Sequence, residues 1–151
     1  MVVVDGWETA YYTNFSGSSG HGPQPMVVSY GTSPAAEVIF AETPLEDAPT
    51  ASILGPDTCF RQIEFVGILK GTSQARQRAL AEKFIDFMLS KQFQEDMPLQ
   101  MFVYPVHPDA ALPDEFLKYA QAPSQPATLG PEEIASNRDR WIQDWTDIVL
   151  K

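Results

Sequence analysis

Hydroxyl and aromatic side chains gather in the stretch 26–36, where an apolar run changes into a helix-start signal. Ser29 and Tyr30 follow three apolar residues, and Thr32 and Ser33 then stand just before a helical pattern. A strand that ends beside the free N–H groups of a helix is where open α/β sheets hold ligands, phosphate groups included. The same residues also fit an ordinary strand-to-helix turn capped by Ser33, so both interpretations stay open at this point.

A second set of residues suited to binding consists of aromatic side chains at the ends of elements: Trp7, Tyr11, Tyr30, Phe102 and Tyr104. Aromatic faces hold flat rings by stacking, and they attract cations by about 0.5–2 kcal/mol per contact. Each ring taken singly is more typical of a core than of a ligand site. The pattern therefore indicates either a site for a flat or cationic small molecule or plain packing.

Residues for catalysis or metal binding are scarce. The chain has two histidines, His21 and His107, both among prolines and glycines, and it has no G-x-S-x-G motif. Cys59 is the single cysteine, and no His, Cys, Asp or Glu spacing matches a metal site. We therefore expect no catalytic residue, no metal site and no enzyme activity, with a hydrolase built on Ser33 and His107 as an alternative.

Composition narrows the range of partners. The chain has 151 residues, of which 44% are hydrophobic, so it is long enough to bury a core. Its formal charge of −10 argues against nucleic acid and against an anionic membrane surface, because both attract basic proteins. No apolar run approaches membrane-spanning length, and the first residues do not resemble a signal peptide.

Sequence periodicity predicts the elements that position these side chains. Apolar runs predict buried strands ending at Tyr30 and over 60–69, and the Ser/Gly-rich stretch 16–25 predicts a loop. Helical patterns follow residue 73, begin near Ser90 and stop before Pro98, and recur over 114–119 and 131–150. We expect core positions on one helix face of the first and last of these, formed by Leu80, Ala81, Phe84, Phe87, Met88, Trp141 and Trp145.

Several separated stretches resemble, in the same order, the second half of a thiamine-binding protein, the extracytoplasmic solute receptor of a bacterial ABC transporter. The more specific of them are the S-Y-x-T-S-P run at 29–34 and the W-I-x-x-W pattern at 141–145. The others are the stretch 6–11 and the stretch 81–88, which leads to V-Y-P-V at 103–106.

The resemblance implies an α/β chain that forms part of a two-lobed, type II periplasmic-binding-protein fold and covers its second half only. It implies that residues 1–55 belong to the second lobe and that 60–120 return to the first. The helix over 131–151 would then pack on the second lobe. The missing N-terminal half of the receptor would lie upstream.

The resemblance also implies a ligand site. Trp7 and Tyr30 correspond to aromatic residues that contact thiamine, and Phe102 falls where the family has a tryptophan facing the ligand. Thr32 and Ser33 would be polar partners, and Tyr104 joins the expected ligand-binding set. Ala36 stands where relatives have a tyrosine, so one aromatic wall is absent.

The function implied is non-covalent binding of thiamine or a thiamine phosphate, with no cofactor, and delivery to an ABC transporter permease. The full-length parent would be periplasmic or extracytoplasmic. Alternatives are a receptor of the same fold for ferric ion or another small cation, and a fragment that binds no ligand by itself. Because half of the fold would be missing, exposed apolar surface predicts self-association of the fragment.

Overall fold

The computed structural model describes residues 1–19 and 21–150. A helical turn at Trp7 leads into a π-helix, Thr9–Asn14. Within the described residues, six α-helices follow: α1 (Ser16–Ser19), α2 (Ser33–Ile39), α3 (Ala75–Met88), α4 (Lys91–Gln100), α5 (Asp114–Tyr119) and α6 (Pro131–Val149). The helices predicted after residue 73, over 114–119 and over 131–150 are confirmed.

The chain divides into two units, each built from separated segments. The first unit contains Met1–Ser29, Ile53–Arg61 and Pro123–Lys151, and the second contains Tyr30–Ser52 and Gln62–Ala122. The sequence-based assignment of 1–55, 60–120 and 131–151 to lobes of a receptor stays a prediction.

The first unit has an aromatic cluster near its N-terminus. Tyr11 is buried there, and its ring stacks on Trp7 and touches the edges of Tyr12 and Phe15. The segments 53–61 and 123–151 are joined by short backbone hydrogen bonds, Ala127 N–H to the Cys59 carbonyl at 2.8 Å and Asp57 N–H to the Gln125 carbonyl at 3.0 Å.

Gly22 allows a close backbone crossing in the first unit. Gln24 N–H donates to the Asn14 carbonyl at 2.9 Å, and Ser16 N–H donates back to the Gln24 carbonyl at 2.8 Å. A Cβ at position 22 would lie 2.3 Å from the carbonyl carbon of Asn14, so only glycine fits. The stretch 16–25, expected to be a loop, thus contains α1 and this crossing, while Gly20 lies outside the described residues.

The second unit packs α2 against α5. Ala35 of α2 and Phe116 of α5 are fully buried, and Tyr104 meets the Phe116 ring edge-on at 5.6 Å. The turn before α2 is tied to distant segments, because the Gly31 carbonyl accepts from the Ser52 hydroxyl at 3.1 Å and from the Gln121 N–H at 3.3 Å.

Helix α4 does not stop before Pro98 as the sequence predicted. It continues to Gln100, with the Pro98 ring buried. A proline inside a helix leaves one carbonyl without its N–H donor, but near the C-terminal end few further bonds are lost. Burial of the ring offsets that cost, so the prediction of an earlier stop was wrong.

The predicted strands are not part of any sheet in the described residues. Residues 26–30 and 61–69 form no β-ladder, and isolated single-residue bridges at Phe15–Gln24 and Phe60–Ala127 are the β-pairings found there. Val28 is 93% exposed and Phe65 89% exposed. A strand needs a neighbour to satisfy its N–H and C=O groups, and no described segment forms a β-ladder with these two. The α/β sheet expected from the sequence is therefore absent from the described residues.

The apolar face of α3 is not a core face either. Leu80, Phe84 and Phe87 are 69%, 57% and 49% exposed, so the periodic pattern correctly predicted the helix but not its burial. On α6, Trp145 is also 54% exposed. No helix in the described part of the chain is long and apolar enough to span a membrane.

Candidate ligand-binding site

Tyr30, Thr32 and Ser33 share the turn that begins α2, in the second unit. Thr32 is the N-cap residue, not Ser33 as predicted, and Pro34 stands in the first turn. The Ser33 hydroxyl accepts a hydrogen bond from Tyr30 N–H at 3.3 Å, and Ser33 N–H donates to the Tyr30 carbonyl at 3.1 Å. The Ser33 side chain therefore stabilises the turn by a hydrogen bond to the backbone of Tyr30, three residues earlier in the chain.

This turn separates its polar side chains from its ring. Thr32 and Ser33 are each 8% exposed, while Tyr30 is 65% exposed. The Tyr30 ring is thus available to a ligand, and the two hydroxyl-bearing residues mainly shape the backbone beneath it.

Phe102 has an unusual backbone. Its φ angle is 58°, in the left-handed region, immediately after Met101, which is the C-cap of α4. The residue after a C-cap commonly adopts this conformation, but it is usually glycine because a Cβ is disfavoured there. Holding a non-glycine residue in this region costs about 1–2 kcal/mol, and such strain clusters at functional sites.

The Phe102 ring packs edge-on against Phe40, with ring centroids 4.7 Å apart and planes at 86°. Phe40 is the residue that follows α2, and sequence reasoning did not select it. Its one sequence signal is its position one helical turn after Ala36, where the resemblance led us to expect an aromatic residue.

Tyr104 lies further along the segment that carries Phe102. It is half-buried against Phe116, and this burial raises the pKa of its phenol, so the ring stays neutral at physiological pH. The edge-on contact joins the Tyr104 ring to the fully buried Phe116.

Two side chains of α4 hold this aromatic segment in place. The Gln94 carbonyl oxygen accepts from Val106 N–H at 2.7 Å, and its amide donates to the Met88 carbonyl at 2.8 Å. The Glu95 carboxylate accepts from Ala111 N–H at 2.9 Å, which lowers the pKa of that carboxyl group. Neither residue was predicted, because a glutamine and a glutamate on a helix are usually solvated.

Trp7 belongs to the first unit and has its own environment there. Its indole N–H donates to the Ser29 hydroxyl at 3.0 Å, and one face stacks on Tyr11 with ring centroids 4.8 Å apart. The side chain is 39% exposed, so part of the indole remains accessible.

Among the predicted site residues, the structure brings Tyr30, Thr32 and Ser33 into one turn and Phe102 and Tyr104 into one segment of the second unit.

An apolar hollow of about 260 Å³ lies elsewhere, along α6. Its lining comes from this one helix: Ile134, Arg138, Trp141, Ile142 and Trp145. A ligand site needs walls from more than one element to bury its occupant. We therefore interpret the hollow as the apolar stripe of an amphipathic helix.

Among the described residues there is also no group of three or more His, Cys, Asp or Glu side chains that could hold a metal ion.

The chain belongs to the family of bacterial extracellular solute-binding proteins, which it matches over residues 22–137. It is 33% identical over 151 residues to the thiamine-binding periplasmic protein of Salmonella typhimurium, and 31% identical over 151 residues to that of Escherichia coli. The match to the protein of the same name from Brucella suis is 30% over 146 residues, 96% of this chain and 40% of that protein.

Both enterobacterial matches cover 100% of this chain but 42% of the relative, so the chain spans less than half the length of these curated relatives. A solved structure of a periplasmic thiamin binding protein is 36% identical over 48% of this chain and 22% of that protein, with a TM-score of 0.43. The family match and the curated relatives confirm the resemblance to thiamine-binding solute receptors seen in the sequence.

Proposed function

We propose that this chain is part of a solute receptor that binds thiamine or a thiamine phosphate non-covalently and delivers it to an ABC importer. The observation that carries this proposal is the similarity to thiamine-binding periplasmic proteins along the entire chain. The relatives are named as binding proteins, and the proposal accordingly needs no catalytic residue and no cofactor.

The chemistry of the candidate residues supports this ligand class. Thiamine combines a flat pyrimidine with a positively charged thiazolium ring, and both suit aromatic faces, by stacking and by cation–π attraction. Exposed ring surface is present at Tyr30 and at Trp7, and the formal charge of −10 favours approach of a cation.

We propose six residues as ligand contacts, each to be tested separately: Trp7, Tyr30, Thr32, Ser33, Phe102 and Tyr104. Tyr30 and Phe102 would contribute ring faces, and Trp7 its accessible indole. Thr32 and Ser33 would act through the backbone of their turn, because both are nearly buried. For Tyr104 we expect the smallest effect on affinity, because its ring already packs on Phe116.

The test is a titration of the full chain with thiamine, thiamine monophosphate and ferric ion, followed by tryptophan fluorescence and by calorimetry. We expect saturable quenching by a thiamine species, and loss of most of that quenching in Trp7→Ala. Trp145→Phe is the matched control, because it also removes one half-exposed indole, from the apolar stripe of α6. If neither method detects a thiamine species binding to the folded chain, the proposal is wrong.

The ferric-ion alternative is not favoured, since the curated relatives are named for thiamine. In the same titration, saturable binding of ferric ion without any response to thiamine would reverse this choice.

We further propose a periplasmic location for the parent receptor and an ABC transporter permease as its partner. A missing N-terminal half of the receptor stays part of this proposal, as does self-association of the isolated chain through its exposed apolar side chains. Light scattering tests the last point: we expect a mass that rises with concentration, whereas a constant monomer mass would contradict it.

A further inference from the structure

The Phe40 ring contacts the Phe102 ring edge-on, with the two centroids 4.7 Å apart. It is itself 54% exposed, so the contact does not bury it in a core. Phe102 is partly buried, and a pair with one exposed member contributes less to stability than a fully buried pair would. This suggests that the contact has a role beyond packing.

The backbone of Phe102 restricts how its ring can be held. With φ at 58°, the residue stands at the end of α4, where Met101 N–H still donates to the Met97 carbonyl at 2.9 Å. Rare backbone conformations persist only where their surroundings over-determine them. The helix end fixes the Phe102 backbone, but the direction of the ring also depends on a neighbour at its side.

We propose that Phe40 is a positioning residue, which fixes the orientation of the Phe102 ring and so pre-organises the face that stacks on the ligand. This inference rests on the proposed function, because it takes Phe102 as a ligand contact. Without the edge-on neighbour, the Phe102 ring would sample other rotamers. The apparent affinity would then fall in proportion to the fraction of chains with a competent ring.

The test is a double-mutant cycle on thiamine affinity in the full chain, with Phe40→Ala, Phe102→Ala and the combined variant. We expect Phe40→Ala to weaken binding about three- to tenfold and to have no further effect once Phe102 is alanine. Phe40→Tyr retains the ring and should restore affinity to within about twofold. The matched control is Phe84→Ala, an exposed phenylalanine of the same unit on α3, which should leave affinity unchanged.

A ligand-free measurement separates this inference from the proposed function. The ring-proton NMR shifts of Phe102 should move in Phe40→Ala, through loss of the neighbouring ring current, and stay in place in Phe84→Ala. Unchanged Phe102 shifts would overturn the inference whether or not thiamine binds. If the wild type binds and the Phe40 and Phe102 effects are simply additive, the inference is wrong while the proposed function stands. If the wild type does not bind thiamine, the proposed function fails, and with it the ligand role given to Phe40.

Discussion

The side chain of Gln94 accepts a hydrogen bond from the backbone N–H of Val106 at 2.7 Å, across a sequence separation of 12 residues. Its amide also donates to the carbonyl of Met88 at the end of α3, and the side chain is nearly buried. One residue of α4 therefore fixes both the preceding helix and the segment that carries Phe102 and Tyr104.

We expect Gln94→Ala to lower the free energy of unfolding by about 1–3 kcal/mol, because Val106 N–H and the Met88 carbonyl would lose a part-buried partner. Urea unfolding followed by circular dichroism measures this change. The control Gln92→Ala, at an exposed position of the same helix, should stay within about 0.5 kcal/mol of wild type. Equal stability of both variants would contradict the anchoring role of Gln94.

The Glu95 carboxylate predicts a pH effect on stability. The hydrogen bond from Ala111 N–H, with the charge of Lys91 adding to it, holds the pKa of Glu95 below its ordinary value of 4.5. A carboxyl group with a depressed folded-state pKa stabilises the fold above its unfolded pKa, and this contribution is lost as the pH falls through the folded value.

We therefore expect the wild type to have a higher urea midpoint of unfolding than Glu95→Gln at pH 7. The difference between the two midpoints should disappear as the pH is lowered below about 4.5. Glutamine keeps an acceptor oxygen for Ala111 N–H, so the comparison isolates the charge. An NMR titration of the Glu95 carboxyl that gives a pKa at or above 4.5 would refute the prediction.

The left-handed backbone of Phe102 predicts an inverted order of stability. At most positions glycine destabilises relative to alanine, but a φ of 58° reverses this, because only glycine lacks the Cβ that is disfavoured there. We expect the free energy of unfolding of Phe102→Gly to be about 1 kcal/mol higher than that of Phe102→Ala. At Met101, whose φ is −121°, the same pair should show the ordinary order, and matching orders at both positions would argue against strain at Phe102.

Gly22 predicts a steric effect in the first unit. An alanine Cβ there would approach the Asn14 carbonyl carbon and oxygen to 2.3 Å, and backbone atoms cannot move aside as a flexible side chain can. We expect Gly22→Ala to destabilise by about 1–3 kcal/mol in urea unfolding. Gly6→Ala is the control, since a Cβ at position 6 meets no atom within 4 Å, and a comparable loss there would show that chain flexibility is the cause.

Local signals in the sequence located most of the helices. Repeating apolar residues predicted α3 and α6, and the acids Glu132 and Glu133 fit the first turn of α6. These signals act within one or two turns of chain, so they do not depend on distant residues.

Signals that need a distant partner were less informative. The apolar run before Tyr30 predicts a strand, but a strand also requires a neighbour that periodicity does not supply. The same holds for the contact between Phe40 and Phe102, which joins residues far apart in sequence. Sequence reasoning placed Phe102 in the candidate site through resemblance, yet Phe40 became visible only from the ring geometry.

The segmented make-up of the first unit has a consequence for biosynthesis. The Cys59 carbonyl accepts a hydrogen bond from Ala127 N–H. In sequence, the first-unit segments 53–61 and 123–151 lie on either side of residues 62–122, which make up most of the second unit. On a ribosome that adds about 5–20 residues per second, Ala127 is synthesised several seconds after Cys59. The order of synthesis thus favours early assembly of the continuous stretch 62–122, and the first unit is completed only after the segment that begins at Pro123 has been translated.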